Sequence, residues 1–401
     1  MIFKTVYHNF SLILLGLLII CIPEQVLGQK SVDPDSEMLC VGAHWTEEEG
    51  AEFLKNRKAE YQTEEEWKKR ATKIRNQILR GSELMDFPSR YHLEPIQGRT
   101  RRYEGYSVTN YAIQTLPGVY VTGSLYKPHG RILNLPGVLS PHGHFDEPGN
   151  TGRYREDAQM RFASLAKMGA VVWAYDAVGY GEMADIGWEH KHPKALKQQL
   201  WNSLRGVDFL ISQGVDPEKI AITGASGGGT QSFLLAAIDE RISVSVPVVM
   251  VSAHFFGGCV CESGMQIHKS HDFQTNNVEI AALAAPRPML LVSTGNDWTK
   301  NTPEVEYPHI RHIYGLMGAE ENVEYVHLPD DQHDYDENKR KAVYPFLAKH
   351  LGLDLSKAMS ENGDLLEDDI VIERQETLYI FDIINRYPED GVTHNDQVKW
   401  E

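Results

Sequence analysis

Ser226 lies in the run Gly224-Ala225-Ser226-Gly227-Gly228-Gly229, directly after the apolar stretch 220–223 and before the apolar stretch 230–238. This is G-x-S-x-G between a strand and a helix, a turn so tight that glycines must flank the serine. A serine hydroxyl is a weak nucleophile at neutral pH and needs a neighbouring imidazole, itself oriented by a carboxylate. In this strand–turn–helix context the acid and then the histidine follow in chain order, each on a loop after a later strand. The apolar run 288–293 leads into Thr294-Gly295-Asn296-Asp297, which makes Asp297 the expected acid and leaves Asp331 as runner-up. The run 323–327 leads into Leu328-Pro329-Asp330-Asp331-Gln332-His333, which makes His333 the expected base. A competing reading of the glycines is a phosphate cradle, but the P-loop lysine and the G-x-G-x-x-G spacing are both missing.

A tetrahedral oxyanion needs two preorganised N–H donors. Gly227 supplies one, and the N–H of His144 is expected to supply the other from His142-Gly143-His144, after the run 137–140. That tripeptide also suits a tight turn or part of a metal site. A zinc hydrolase would want a third ligand and a carboxylate in clear spacing, and neither is found, so no metal and no cofactor are expected. The segment 252–280 is a glycine-rich insertion carrying His254, Phe255, Phe256, Cys259, Cys261, His268 and His271. It is expected to wall or cover the pocket. His142, His254, Phe255, Arg153 and Trp298 are the expected substrate-pocket residues. Aromatic rings there suit stacking on a sugar, and a small cluster that merely stabilises the loop is the alternative.

The elements that must position these residues follow from periodicity. Short apolar runs at 137–140, 170–175, 220–223, 242–248, 288–293 and 323–327 alternate with amphipathic stretches such as 155–167, 193–211 and 303–316. That rhythm predicts an α/β fold, a mostly parallel doubly wound sheet covered on both faces. Its start is antiparallel: 103–126 is rich in aromatic and β-branched residues and broken at Pro117-Gly118, as in a hairpin. Thr46-Glu47-Glu48-Glu49 and Thr63-Glu64-Glu65-Glu66 are capping boxes and predict a helical N-terminal appendage. The tail 354–401 reads as a further short strand and helix. No internal repeat is present, which excludes solenoids and propellers.

The 401 residues hold 39 Lys and Arg against 56 Asp and Glu, a net charge of −17, so a nucleic-acid partner is not expected. Lys4, the apolar run 10–22, Pro23 and Gly28 have the order of a secretory signal peptide, too short for a stable membrane anchor. A lipoprotein signal ending at Cys21 is the rival, but Ile20 stands where a small residue is needed. The mature chain is expected to be secreted or periplasmic. It would keep Cys40, Cys259 and Cys261, an odd number that fits one disulfide joining Cys40 to one of the close pair, or three isolated thiols. Zinc on Cys-x-Cys is the sharper alternative, against which stand the tight spacing and the lack of a second cysteine pair.

From about residue 103 to 351 the chain resembles the α/β-hydrolase superfamily. More narrowly it is similar to the secreted acetyl xylan esterase-like hydrolases of bacterial polysaccharide breakdown. The resemblance is carried by Ser140-Pro141-His142-Gly143-His144, by Tyr175-Asp176-Ala177-Val178-Gly179-Tyr180-Gly181-Glu182, by the Ser226 turn, and by Gly295-Asn296-Asp297-Trp298 with His333-Asp334-Tyr335. The better-known acetyl esterases carry Gln after the nucleophile where this chain has Gly227. The expected organisation is a signal peptide over 1–28, the helical appendage over 29–100, an α/β-hydrolase domain over 101–352 with its insertion at 252–280, and an extension over 353–401. The resemblance implies an exported serine hydrolase acting on a plant or algal carbohydrate ester, with a carbohydrate as partner. Two alternatives belong to other classes. In one, His333 abstracts the proton α to a uronate, with Arg153, Arg155 or Lys191 neutralising the carboxylate, and eliminates water. In the other the fold is a catalytically silent binding module. Nothing in the sequence sets the oligomeric state.

Overall fold

The computed structural model describes residues 44–130, 134–147 and 150–400. The expected signal peptide and Cys40, with any disulfide it forms, lie outside the described residues. Nine strands form one sheet: β1 (Ile96–Arg102), β2 (Tyr106–Leu116), β3 (Val119–Pro128), β4 (Leu135–Leu139), β5 (Val171–Tyr175), β6 (Val215–Ala225), β7 (Ile242–Val248), β8 (Met289–Thr294) and β9 (Val323–Leu328). Their spatial order is β1-β2-β3-β5-β4-β6-β7-β8-β9. The joins from β1 to β5 are antiparallel, and every join from β5 through β4 to β9 is parallel.

The β2–β3 hairpin turns at Pro117-Gly118, where Gly118 has φ +75° and thus takes the left-handed conformation a side chain would strain. The first sheet strand begins at Ile96, inside the span expected to be helical appendage. It reads Ile-Gln-Gly-Arg-Thr-Arg-Arg and is half exposed at the sheet edge, so it lacks the apolar signal of a buried strand.

The helices are α1 (Glu47–Glu60), α2 (Glu64–Gly81), α3 (Glu156–Lys167), α4 (Gly181–Ile186), α5 (Ala195–Ser212), α6 (Gly227–Ile238), α7 (Val260–Ser263), α8 (Asn277–Ala282), α9 (Tyr307–Leu316) and α10 (Glu337–Leu351). Both expected capping boxes are formed: Thr46 and Thr63 each accept from the N3 backbone N–H, while Glu49 and Glu66 bond back to the cap. Along β5 alternate side chains enter opposite cores. Val171, Trp173 and Tyr175 join α5 and α6, whereas Val172 and Ala174 meet Phe162 of α3 and Tyr344 of α10. The doubly wound expectation holds, and it leaves the carboxyl ends of β4 to β9 facing one rim.

The tail differs from its expectation. Beyond Leu353 the described residues contain only three short 3₁₀ turns and an isolated bridge between Met359 and Leu365. It lies instead as irregular chain whose polar groups are satisfied by the body: Asn110 donates to the carbonyls of Thr377 and Tyr379, and Glu182 accepts from the N–H groups of Ile380 and Phe381.

Candidate active site

Strand β6 ends at Ala225 and helix α6 begins at Gly227, so Ser226 is the single residue between them. Its φ is +55° and ψ −124°, outside the comfortable regions for an L-residue and of the kind worth about 1–3 kcal/mol of strain. The flanking glycines let the chain pass. A Cβ on Gly224 would stand 2.4 Å from the Pro141 carbonyl oxygen, and one on Gly228 2.5 Å from the same atom. The loop after β4 therefore lies directly on the serine turn. A Cβ on Gly143 would stand 3.0 Å from Ser226 Cβ, and the His144 ring covers Gly227. The Ser226 side chain is left at the edge of exposure, 9 % accessible.

Asp297 leaves the end of β8 and His333 the loop after β9. Asp297 Oδ2 lies 2.6 Å from His333 Nδ1, and its other oxygen accepts from the N–H and hydroxyl of Thr299, both at 2.6 Å. Because a carboxylate only accepts, Nδ1 carries the hydrogen and Nε2 presents its lone pair; Nε2 is buried without a hydrogen-bond partner. Two residues on, the Tyr335 hydroxyl meets Thr223 of β6 at 2.7 Å, which pins the histidine loop beneath the serine turn. Asp331, the runner-up acid, is engaged elsewhere, by Lys339 and Asn338.

Ser226 and His333 line one cavity of about 470 Å³, together with His144, Phe145, Tyr180, His190, Lys191, Phe255, Glu262 and Trp298. Phe255 of the insertion stacks on Trp298 at 4.0 Å between centroids, and Trp298 lies 4.5 Å from the His333 ring. The indole N–H of Trp298 is buried with no partner. The insertion thus forms a wall, and helices α1 and α2 brace it from behind. Trp45 N–H bonds the His254 carbonyl at 2.8 Å, and a Cβ on Gly81 would strike the Gln266 carbonyl oxygen at 2.1 Å.

Three expected pocket residues are elsewhere. Arg153 is 1 % exposed and holds Asp176, Glu182, the Ser124 hydroxyl and the Leu378 carbonyl; it joins the tail to the sheet. Its charge is buried only because two carboxylates neutralise it. His142 is buried, with Nδ1 at 2.9 Å from the Gly143 carbonyl and Nε2 accepting from the Ala177 N–H, so it splints two loops. Burial lowers its pKa. His254 bonds Ser252 and packs under α1, away from the cavity.

The sequence reading missed Phe145, Tyr180, His190 and Glu262. Tyr180 had a signal, the glycine-flanked loop after β5; His190 had none. Glu262 is buried between Thr230 and Gly258, both donating at 3.0 Å, and burial pushes its carboxyl up to about 7. Beside it, hydrogen bonds from Cys261 and His190 hold the Cys259 thiol well below the ordinary thiol range, and burial pushes Cys261 up. Neither cysteine is in a disulfide within the described residues.

The strand order, the strained serine between β6 and α6, and the Asp–His pair on later loops define an α/β hydrolase. No family model matches the chain. The solved structure of Methylesterase BT1017 is similar over 88% of this chain and 78% of its own, with a TM-score of 0.80 and 37% identity. A 4-O-methyl-glucuronoyl methylesterase of Phanerochaete carnosa is 23% identical over 208 residues, 43% of this chain; the chain spans about half the length of that curated relative. A CE15 glucuronoyl esterase from Teredinibacter turnerae shares the fold, with a TM-score of 0.52 and 15% identity, over 72% of this chain and 85% of that one. The chain belongs to the α/β-hydrolase carbohydrate esterases, in the family of Methylesterase BT1017. Among the described residues no helix is long and apolar enough to cross a membrane.

Proposed function

We propose that this protein is an exported serine esterase that removes the methyl ester from a uronic acid residue of a plant or algal polysaccharide or oligosaccharide. The reading is carried by one observation: the strained Ser226 and the unpartnered Nε2 of His333, backed by Asp297, open onto the same cavity. The methyl group is suggested by the names of the relatives, a methylesterase at 37% identity and a glucuronoyl methylesterase at 23%.

In this reading Ser226 Oγ attacks the ester carbonyl while His333 Nε2 takes its proton. The oxyanion is held by the N–H groups of Gly227, at the start of α6, and of His144. His333 returns the proton to the departing methoxide, releasing methanol. Water, deprotonated by the same nitrogen, then cleaves the acyl-enzyme and leaves the uronate. Asp297 keeps the imidazole in the tautomer that this requires and stabilises its charged form. The Phe255–Trp298 pair offers a stacking wall for a sugar ring, the Trp298 N–H a donor for one of its hydroxyls, and Lys191 a positive charge for an acidic oligomer.

The elimination alternative loses much of its equipment. Arg153 is sequestered by Asp176 and Glu182, and the Arg155 guanidinium is taken by Asp157 and lies over the Phe145 ring. The test is incubation of the full chain with methyl-esterified, acetylated and free uronic acid oligosaccharides, with products followed by mass. Methanol release that falls by on the order of 10⁴-fold in Ser226→Ala, with the melting temperature unchanged, is the expected result. Turnover retained in that variant, or an unsaturated sugar absorbing in the near ultraviolet, would overturn the reading.

A further inference from the structure

At one side of the cavity stand two imidazoles and two thiols that ester hydrolysis does not need; His144, His190 and Cys259 line it and Cys261 lies buried beside them. They come from three distant segments: His144 from the loop after β4, His190 from the loop between α4 and α5, and Cys259 and Cys261 from the start of α7 in the insertion. Cys261 Sγ lies 3.1 Å from His144 Nε2 and 3.4 Å from His190 Nε2, and the four donor atoms, Cys259 Sγ included, are all within 4.8 Å of one another. Tetrahedral zinc, with bonds near 2.3 Å to sulfur and 2.0–2.1 Å to nitrogen, sets its ligands about 3.3–3.8 Å apart. Two edges of such a tetrahedron are thus already near that spacing, and none of the others exceeds 4.8 Å.

The outer groups fit as well. His190 Nδ1 lies 2.7 Å from the Val178 carbonyl, which can only accept; Nδ1 therefore carries a hydrogen, and Nε2 is the nitrogen that faces the thiols and would take the metal, giving up any proton it holds. His144 Nδ1 lies 3.8 Å from Glu262 Oε2, beyond hydrogen-bond distance, and Glu262 is itself fixed by Thr230 and Gly258. Backing an imidazole by a carbonyl, as at His190, is how metal-binding histidines are oriented.

We propose that His144, His190, Cys259 and Cys261 bind one zinc ion. Two thiolates and two imidazoles in a tetrahedral arrangement select zinc over the hard cations magnesium and calcium, and the two thiol protons leave on binding. All four positions come from the protein, so the ion is a clamp and not an activator of water. It ties the loop bearing His144, which lies on the serine turn, to the insertion and to the loop after α4. In the sequence, Cys-x-Cys lacks a second cysteine pair; the fold supplies two histidines in its place.

The full chain, purified without a metal-chelating resin, is assayed for metal content, then reduced, stripped with chelator and titrated with Zn²⁺ and Co²⁺. One zinc per chain is expected, and the cobalt form is expected to show thiolate charge transfer in the near ultraviolet with the visible bands of tetrahedral geometry. His190→Gln and Cys259→Ser should weaken Co²⁺ binding by at least roughly a hundredfold. Ser226→Ala should bind as the unaltered chain does, which separates this site from the esterase reading. Should a ligand variant fail to fold, thiol reactivity of the unaltered chain decides: Zn²⁺ is expected to protect both cysteines from a disulfide reagent. No metal bound at micromolar Zn²⁺, unaltered thiol reactivity, or a mass lower by two hydrogens from a Cys259–Cys261 disulfide would overturn the proposal.

Discussion

At the scale of single residues the site depends on which nitrogen carries which proton. Asp297 receives the His333 Nδ1 hydrogen at 2.6 Å and is itself held by two donors from Thr299. Asp297→Asn keeps the shape, but its amide can donate to Nδ1 and so turn the imidazole to the wrong tautomer. Its kcat is expected to fall by on the order of 10⁴-fold with little change in KM, measured by methanol release. Thr299→Val removes only one of the supports and should cost much less, a comparison that separates orientation of the acid from its charge. The residues proposed to carry the attack and its proton transfer were legible as positions because each is tied to a local event in the chain: Ser226 to a strand–glycine turn, Asp297 and His333 to the ends of apolar runs. Arg153 and His142 were misplaced because a charge or an imidazole in a loop carries no local mark of the direction it faces; Arg153 turns into the fold, where Asp176 and Glu182 wait.

At the scale of elements, the insertion and the N-terminal helices act as one unit against the sheet. The five-residue π-helix Thr302–Glu306 brings Glu306 under the insertion, where one oxygen accepts from the Ala253 N–H at 2.9 Å and the other has no partner. Burial pushes this carboxyl up to about 7. Between its ordinary value near 4.5 and about 7 the folded chain holds a proton that the unfolded chain has lost, so its contribution to stability declines as pH rises through that window. Glu306→Gln lacks the decline. The melting temperature of the variant relative to the unaltered chain is expected to climb from pH 4.5 to 7 and level off above. A difference independent of pH would refute it, and comparison within one pair cancels the buried histidines His268 and His309, which respond in the opposite sense. The second contact is electrostatic: Arg70 of α2 pairs with Glu279 of α8, whose side chain is fully buried. Arg70→Met leaves that carboxylate uncompensated and should destabilise by about 3–5 kcal/mol in denaturant unfolding. Capping boxes announced α1 and α2, but not what they cover, because a cap specifies where a helix starts and not the face against which it packs.

At the scale of the whole molecule, the tail closes the fold. Arg340 of α10 pairs with Glu367, which also receives the Tyr344 hydroxyl at 2.8 Å, and Arg153 donates to the Leu378 carbonyl. Ending the chain after Leu353 would strip partners from two buried guanidinium groups at once. Such a chain is expected to melt roughly 5–10 °C lower, if it stays soluble, with the loss visible by calorimetry before any assay of turnover. An unchanged melting temperature would show that the tail is only draped on the surface.

The sequence by itself determined the alternation of strands and helices through the body of the sheet, the serine turn, and the places of Asp297 and His333 after successive later strands. Each follows from short-range rules: side-chain alternation, caps, and the steric demand for glycine beside a turn. Tertiary structure alone decided which loops meet. It brought His190 and the Cys-x-Cys pair to one point, removed Arg153 from the cavity, and laid an irregular tail where a strand and a helix were expected. Such contacts are long-range, joining residues 71 to 225 positions apart, and their energy is spread over packing and burial that no local pattern encodes.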